Sequence, residues 1–296
     1  MNHLKVAIYG LGNMGYPIAE RIGRQFHTQV FDLNRDALRR SQENFRAEEI
    51  TSPEMLKDTP YVVLCLPTPQ ASQTVIAEIA PYLPPHCVVL ETSTVNPEHI
   101  YTAQKILDKY GIDIIDASIM AGVSQMISGT ASLALGGRPE VIARAQPVLD
   151  AIAEKQIHFG GLGTGAAAKV INNAVAHAVM VVVAEAAAMA TAANVDCQKL
   201  VALLSDPQMG LHRPLTYRYA SRIVKGEYEG GMPLDAARKD SVLALELGQA
   251  LHVPLFAIQG SHSVYDMGVA SGYGREDYAA IAKLWENWGC PTVPKA

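Results

Sequence analysis

From Lys5 to Gly161 short apolar runs alternate with helical patterns, and few folds accept that rhythm. The runs KVAIYG (5–10), TQVFDL (28–33), PYVVLCLP (60–67), CVVLETS (87–93) and IDIIDAS (112–118) are short, apolar and rich in β-branched residues, so they read as strands. Between them, 13–25, 35–45, 71–83 and 98–111 place apolar residues at helical spacing. TASLALGG (130–137) and IHFGG (157–161) add two strands around a helix at 139–153. Strands that are apolar along their whole length are buried on both faces, which predicts a parallel sheet covered by helices on either side. After Gly165 the strand signal stops. Helices are expected at about 165–194, 196–205, 214–225, 233–251 and 255–271, with another near 276–287.

The first strand runs directly into GLGNMG, which joins it to the first helix. A GxGxxG match alone is weak, but this one lies in a strand–turn–helix context. Gly10 permits the tight turn, Gly12 lets the backbone approach a pyrophosphate, and Gly15 lets the helix pack on the strand. The diphosphate would then rest on the helix N–H groups around Gly10, Leu11, Gly12, Asn13, Met14 and Gly15. Asp32 closes the second strand, where a carboxylate accepts hydrogen bonds from the adenosine ribose hydroxyls and repels a 2′-phosphate. NAD is the expected cofactor and NADP the less favoured one, although Arg35, three residues on, could weaken the preference. The fold class is therefore α/β: a Rossmann-type doubly wound sheet domain over 1–162, then an all-helical domain for substrate and oligomer contacts over 163–296. A second glycine cluster, GGLGTG (160–165), has no acidic residue at the end of a following strand and no P-loop ending. It reads as a hinge between the domains.

Composition narrows the function. The chain has 296 residues, about half of them hydrophobic and 18% charged, which suits a large packed core. A formal net charge of −5 without a polybasic run argues against nucleic acid as a partner. Four scattered cysteines, with no metal-ligand spacing, fit reduced thiols in a cytoplasmic protein and predict no metal site. The opening MNHLKVAIYGLG lacks the order of charge, apolar core and cleavage site of a signal peptide. AVAHAVMVVVAEAAAMATAA (174–193) is long enough for a membrane span. It contains His177 and Glu185 and is mostly alanine, so a buried central helix is expected and no membrane contact. His177 is expected in the core.

On the helix after the second glycine cluster, Lys169 lies one turn from Asn172 and Asn173. A carbonyl reduction needs a proton donor as the hydride arrives, and a desolvated lysine can serve. The same pattern suits a surface lysine beside two amides, and spacing alone leaves both readings open.

VAIYGLGNMGYPIAERI, VVLCLPTP, ETSTVNP, GTGAAAKVINN and RKDSVLALELG occur in that order across nearly the whole chain. In these blocks the sequence resembles the β-hydroxyacid dehydrogenase family, which includes 3-hydroxyisobutyrate dehydrogenase and tartronate semialdehyde reductase and is related to 6-phosphogluconate dehydrogenase. The resemblance implies a two-domain enzyme moving hydride between a nicotinamide cofactor and a small β-hydroxy acid. It implies Lys169 as the acid/base, Asn173 as a substrate contact, and Leu66, Pro67, Thr94 and Lys239 on the cofactor side. One block departs: the family's DAPVSGG reads DASIMAG here (116–122). In the substrate grip of Met120, Ala121 and Gly122, a thioether and a methyl replace the serine hydroxyl and a glycine. Ser124 and Gln125 are candidate replacement donors, and Arg213 is a candidate anion anchor.

The leading expectation is an NAD-dependent oxidoreductase on a small β-hydroxy acid or related alcohol, assembled as a homodimer or homotetramer. An imine reductase-like enzyme is an alternative that suits the altered grip. A non-catalytic dinucleotide-binding sensor is another.

Overall fold

The computed structural model describes residues 4–292; 1–3 and 293–296 fall outside the described residues. The chain divides into two compact units, Met1–Ala174 and Val175–Ala296.

The first unit alternates strand and helix. It comprises β1 (Lys5–Tyr9), α1 (Gly15–Gly23), β2 (His27–Phe31), α2 (Arg35–Phe45), β3 (Glu48–Glu49), β4 (Tyr61–Leu64), α3 (Pro69–Ile79), β5 (Val88–Glu91), α4 (Pro97–Leu107), β6 (Asp113–Ile119), α5 (Val123–Ser128), β7 (Ser132–Gly136), α6 (Pro139–Ile152) and β8 (Lys155–Gly160). The helix starts carry their sequence signals. The Asn34 side chain caps α2 by accepting from the Asp36 and Ala37 N–H groups, and Thr68 caps α3 ahead of Pro69.

The eight strands lie in the order β3-β2-β1-β4-β5-β6-β7-β8. Successive residues feed opposite cores: Val6, Ile8, Val63, Leu90 and Ile115 pack on one face, and Ala7, Tyr9, Val62, Leu64, Val89 and Ile114 on the other. That is why the strands are apolar throughout.

Two details depart from the sequence reading. β3, two glutamates long, is too short and too polar to register as a strand pattern. The sheet is also not wholly parallel, because β7 runs antiparallel to β6, with Asp116 opposite Gly136. The cause is the connection. Between Ile119 and Ser132 the only helix is the six-residue α5. At about 1.5 Å per residue it cannot run back along β6, whose seven residues span roughly 23 Å. The chain therefore turns, and β8 then pairs parallel to β7.

α7 (Thr164–Ala192) begins in the first unit and ends in the second. The second unit adds α8 (Cys197–Ser205), α9 (Leu234–Ala250), α10 (Phe256–Ala270) and α11 (Ala282–Asn287). The helix expected at 214–225 is instead a π-helical segment, Pro214–Tyr219, followed by a 3-10 turn, Ile223–Lys225. The helix near 276–287 splits into a 3-10 turn, Tyr278–Ile281, and α11. Glu185 is buried and accepts from the Phe256, Ala257 and Ile258 N–H groups, capping α10.

The expected burial of 174–193 is not met within the single chain. Only 11% of the most apolar window of α7 is buried, and Val175, Met180 and Val181 are exposed. His177 is exposed too, not in the core. A unit built only of helices has no sheet to cover a long apolar helix on two sides. α7 remains long and apolar enough, by composition alone, to cross a membrane.

Candidate active site

One register row crosses the first unit: Phe31, Tyr9, Leu64, Glu91, Asp116, Gly136 and Gly160 are paired neighbours in sequence across the sheet. Gly10, Asp32, Leu66 and Thr94 all follow the carboxyl ends of strands on this row. In open α/β sheets ligands bind at this edge, where the connections diverge to either side. Here the divergence lies between β1 and β4, since β2 pairs with the other edge of β1.

The glycines perform distinct tasks. Gly10 has φ +100°, and a Cβ there would lie 2.2 Å from the Cys65 carbonyl oxygen. A Cβ on Gly15 would lie 2.0 Å from the Gly10 carbonyl oxygen, so only glycine lets α1 come this close to β1. A Cβ on Gly12 would meet nothing within 4 Å; that side of the loop is open. No side chain caps the N-terminus of α1, and Gly12 and Asn13 are exposed while Met14 is half-buried. Open space over a glycine and an uncapped helix start fit a dinucleotide diphosphate.

Asp32 sits beside this loop. Its Oδ2 accepts from Leu11 N at 2.5 Å and its Oδ1 from Asn34 N at 2.7 Å. The carboxylate is thereby fixed, with lone pairs left for ribose hydroxyls. On the other side, Leu66 N donates to Ser93 Oγ at 2.8 Å, and Ser93 N donates to Glu91 Oε1 at 2.9 Å. Glu91 is fully buried, and desolvation raises its carboxyl pKa. Pro67 and Thr94 are exposed. Sequence reasoning missed Ser93 and Glu91. The available signal was a polar cluster, ETST, at the end of a fully apolar strand.

Asp116 is the second residue missed. It is wholly buried, its Oδ1 accepts from Gly163 N and its Oδ2 from Ala166 N, both at 2.7 Å. It therefore binds the first turn of α7 to the middle of β6. Desolvation raises its pKa against the lowering effect of these bonds. Gly165 packs on the β7 backbone, where a Cβ would lie 2.5 Å from the Ala134 carbonyl oxygen. The glycines read as a hinge are thus partly packing glycines that anchor α7 to the sheet, and the division between units falls further along, after Ala174.

Lys169 stands one turn beyond this anchor. It is half-buried, and burial lowers its ammonium pKa. No carboxylate pairs with it among the described residues. Asn173 lies on the same face one turn on, half-buried, and Asn172 Nδ2 donates to its Oδ1 at 3.5 Å.

The altered substrate block lands elsewhere on α7. Met120 lines a pocket of about 480 Å³ with Phe159, Thr164, Ala167, Ala168, Ile171 and Asn172. The α7 side chains of this pocket centre on a face away from Lys169, with Asn172, one turn from the lysine, on its border. Ala121 packs against the core, and Gly122 is exposed and starts α5. Gln125 Oε1 accepts from Gly122 N at 2.9 Å, which fixes the amide and leaves its Nε2 group as the donor. Ser118 Oγ, beneath Met120 in sequence, is buried without a hydrogen-bond partner. Lys239 belongs to the second unit, where it is exposed and pairs with Asp240 at 2.9 Å. Arg213, in the same unit, stacks on Tyr217 at 4.4 Å.

Known proteins resemble this chain along nearly its whole length. Residues 5–161 match the NAD-binding domain of 6-phosphogluconate dehydrogenase, and 163–285 match the NAD-binding domain of NADP-dependent 3-hydroxyisobutyrate dehydrogenase. The 3-sulfolactaldehyde reductase of Escherichia coli is 30% identical over 93% of this chain and 94% of its own. Among solved structures, 3-hydroxyisobutyrate dehydrogenase of Mycobacterium tuberculosis with L-serine aligns at TM-score 0.66 and 22% identity, over 95% of this chain and 99% of that one. An imine reductase from Pseudomonas sp. aligns at TM-score 0.85 and 19% identity, over the same shares of the two chains. At such identities the structures speak for the fold alone. The family models and the full-length relative carry more: this chain belongs to the β-hydroxyacid dehydrogenase family, the NAD(P)-dependent dehydrogenases and reductases of CH–OH groups that include 3-hydroxyisobutyrate dehydrogenase and are related to 6-phosphogluconate dehydrogenase.

Proposed function

We propose that the protein interconverts a small β-hydroxy acid, or a related short acidic alcohol, with its aldehyde or ketone, and that Lys169 is the general acid/base. The supporting observation is the half-buried Lys169, without a carboxylate partner among the described residues, on a helix start that Asp116 ties to the cofactor-binding sheet. Gly10–Gly15, Asp32, Leu66, Pro67 and Thr94 hold the dinucleotide, with Lys239 as a further contact. Bound NADH supplies the hydride. Lys169 gives its proton to the carbonyl oxygen as the alcohol forms and takes it back in the oxidation. The lowered ammonium pKa brings that exchange nearer to neutral pH. Asn173 orients the substrate oxygen beside Lys169. By function the boundary is assigned ahead of α7, with 1–162 for the dinucleotide and 163–296 for substrate and subunit contacts, although the compact units divide only after Ala174. Exposed apolar side chains on α7, α8 and α9, among them Val175, Met180, Val201 and Leu243, favour a homodimer or homotetramer. Four free cysteines suit the cytoplasm.

The test is Lys169→Ala. Turnover should fall by about 10² or more while NADH binding stays near normal. Near-full turnover would remove the lysine from the mechanism.

The largely apolar pocket beside Met120 favours a second reading, an imine reductase-like enzyme with an uncharged or cationic substrate. Parallel assays of short hydroxy acids, sulfonates and cyclic imines, followed through NADH or NADPH, separate the two.

A further inference from the structure

A 2′-phosphorylated cofactor would place close to two negative charges next to Asp32 and would need a cation there. α2 begins immediately beyond Asp32 and Asn34 and carries three arginines, each already engaged. Arg39 pairs with Asp36 one turn away at 2.9 Å. Arg40 lies over the Tyr16 ring at 4.7 Å. Arg35, the first residue of α2 and the best placed in sequence, pairs with Glu49 at 2.6 Å. Glu49 comes from the short strand β3, hydrogen-bonded to β2 with Val30 opposite it. Its side chain is only 27% exposed, against 82% for Arg35, and Gln42 Nε2 donates to its second oxygen at 3.5 Å. The carboxylate is therefore the fixed partner and the guanidinium the mobile one.

We propose that Glu49 is a selectivity residue of the cofactor site: it holds Arg35 in an ion pair and so withholds the guanidinium from a 2′-phosphate, reinforcing the preference for NAD that Asp32 sets. This also gives a role to the two-glutamate strand, which contributes almost nothing to the core. The proposal depends on the dinucleotide site and not on Lys169 or the substrate.

The test measures binding, which needs no substrate. Dissociation constants for NADH and NADPH are read from nicotinamide fluorescence at one ionic strength in the unmodified protein, Glu49→Gln, Arg35→Ala and the double variant. Exposed pairs shift affinities by only a few-fold, so Glu49→Gln should tighten NADPH by roughly three- to fivefold and leave NADH within about twofold. The double variant should lose that gain, and Arg35→Ala alone should leave the NADPH affinity unchanged. An unchanged ratio of the two cofactors in Glu49→Gln overturns the proposal. So does weaker NADPH binding, because Glu49 would then be presenting the arginine and not withholding it. A gain that persists in the double variant overturns it too, since simple repulsion by Glu49 would then suffice. Loss of turnover in Lys169→Ala, or its absence, has no bearing on any of these readings.

Discussion

The two units solve the burial problem differently. The first closes its apolar surface within one chain, with a sheet whose alternate residues serve two cores. The second has a small cluster around Tyr228, Ala279 and Ala280 and leaves Val181, Val201, Leu203, Leu243 and Phe256 exposed. A parallel sheet between helix layers is self-sufficient. A group of helices around one long alanine-rich helix is not, because its apolar faces outnumber the layers available to cover them.

The sharpest probe of this contrast is truncation on each side. Leu90→Ala, in the sheet core, should lower the unfolding free energy of the first unit by about 2–5 kcal/mol in urea titrations. A loss well under 1 kcal/mol would mean that the sheet core is less closed than its burial implies. Asp116→Ala should be comparable. It strands the N–H groups of Gly163 and Ala166 at a buried site, costing roughly 1–3 kcal/mol for each, and hydrogen exchange should rise locally at the start of α7.

A smaller effect concerns pH. Burial raises the Glu91 carboxyl above its ordinary value, so the folded state holds that proton more tightly than the unfolded chain. Stability from this group is complete below the unfolded pKa of about 4.3 and is lost as pH climbs through the raised folded value. Asp116 acts in the same direction. Glu91→Gln should therefore flatten, without abolishing, the decline in stability across that window. An unaltered slope would show that Glu91 stays ionised when folded. The smallest effect on single-chain stability is expected at Val181→Ser, within about 0.5 kcal/mol, because the side chain is half exposed. If copies associate through α7, sedimentation should nevertheless show weaker assembly at equal concentration.

Much of this was legible in the sequence. The strand–glycine–helix entry, the place of Asp32 at the end of β2, and α7 to α10 follow from periodicity and turn chemistry, which are local. The reversal of β7 was not legible, because it depends on the length of a connection relative to a strand and leaves no mark in strand composition. Nor was Asp116, an ordinary acid in IDIIDAS until α7 returns 47 residues later to donate to it. Met120 was placed in sequence but not in direction: adjacency to a motif does not say which face of α7 a side chain meets. His177 and the alanine-rich run were misjudged for a related reason. Apolar composition predicts that a face is covered, not that the same chain covers it.

The reversed strand also limits how the protein can vary. Because β7 runs back to Gly136 and β8 ends opposite it at Gly160, α7 starts on the same row that ends β1, β4 and β5. Side chains alternate faces along a strand, so a one-residue slip of β6 would turn Asp116 to the opposite side of the sheet and detach the lysine helix from its anchor. Single-residue insertions or deletions between Asp113 and Asp116, or between Lys155 and Gly163, should be poorly tolerated. The bend around α5 and the far end of α6 can absorb them.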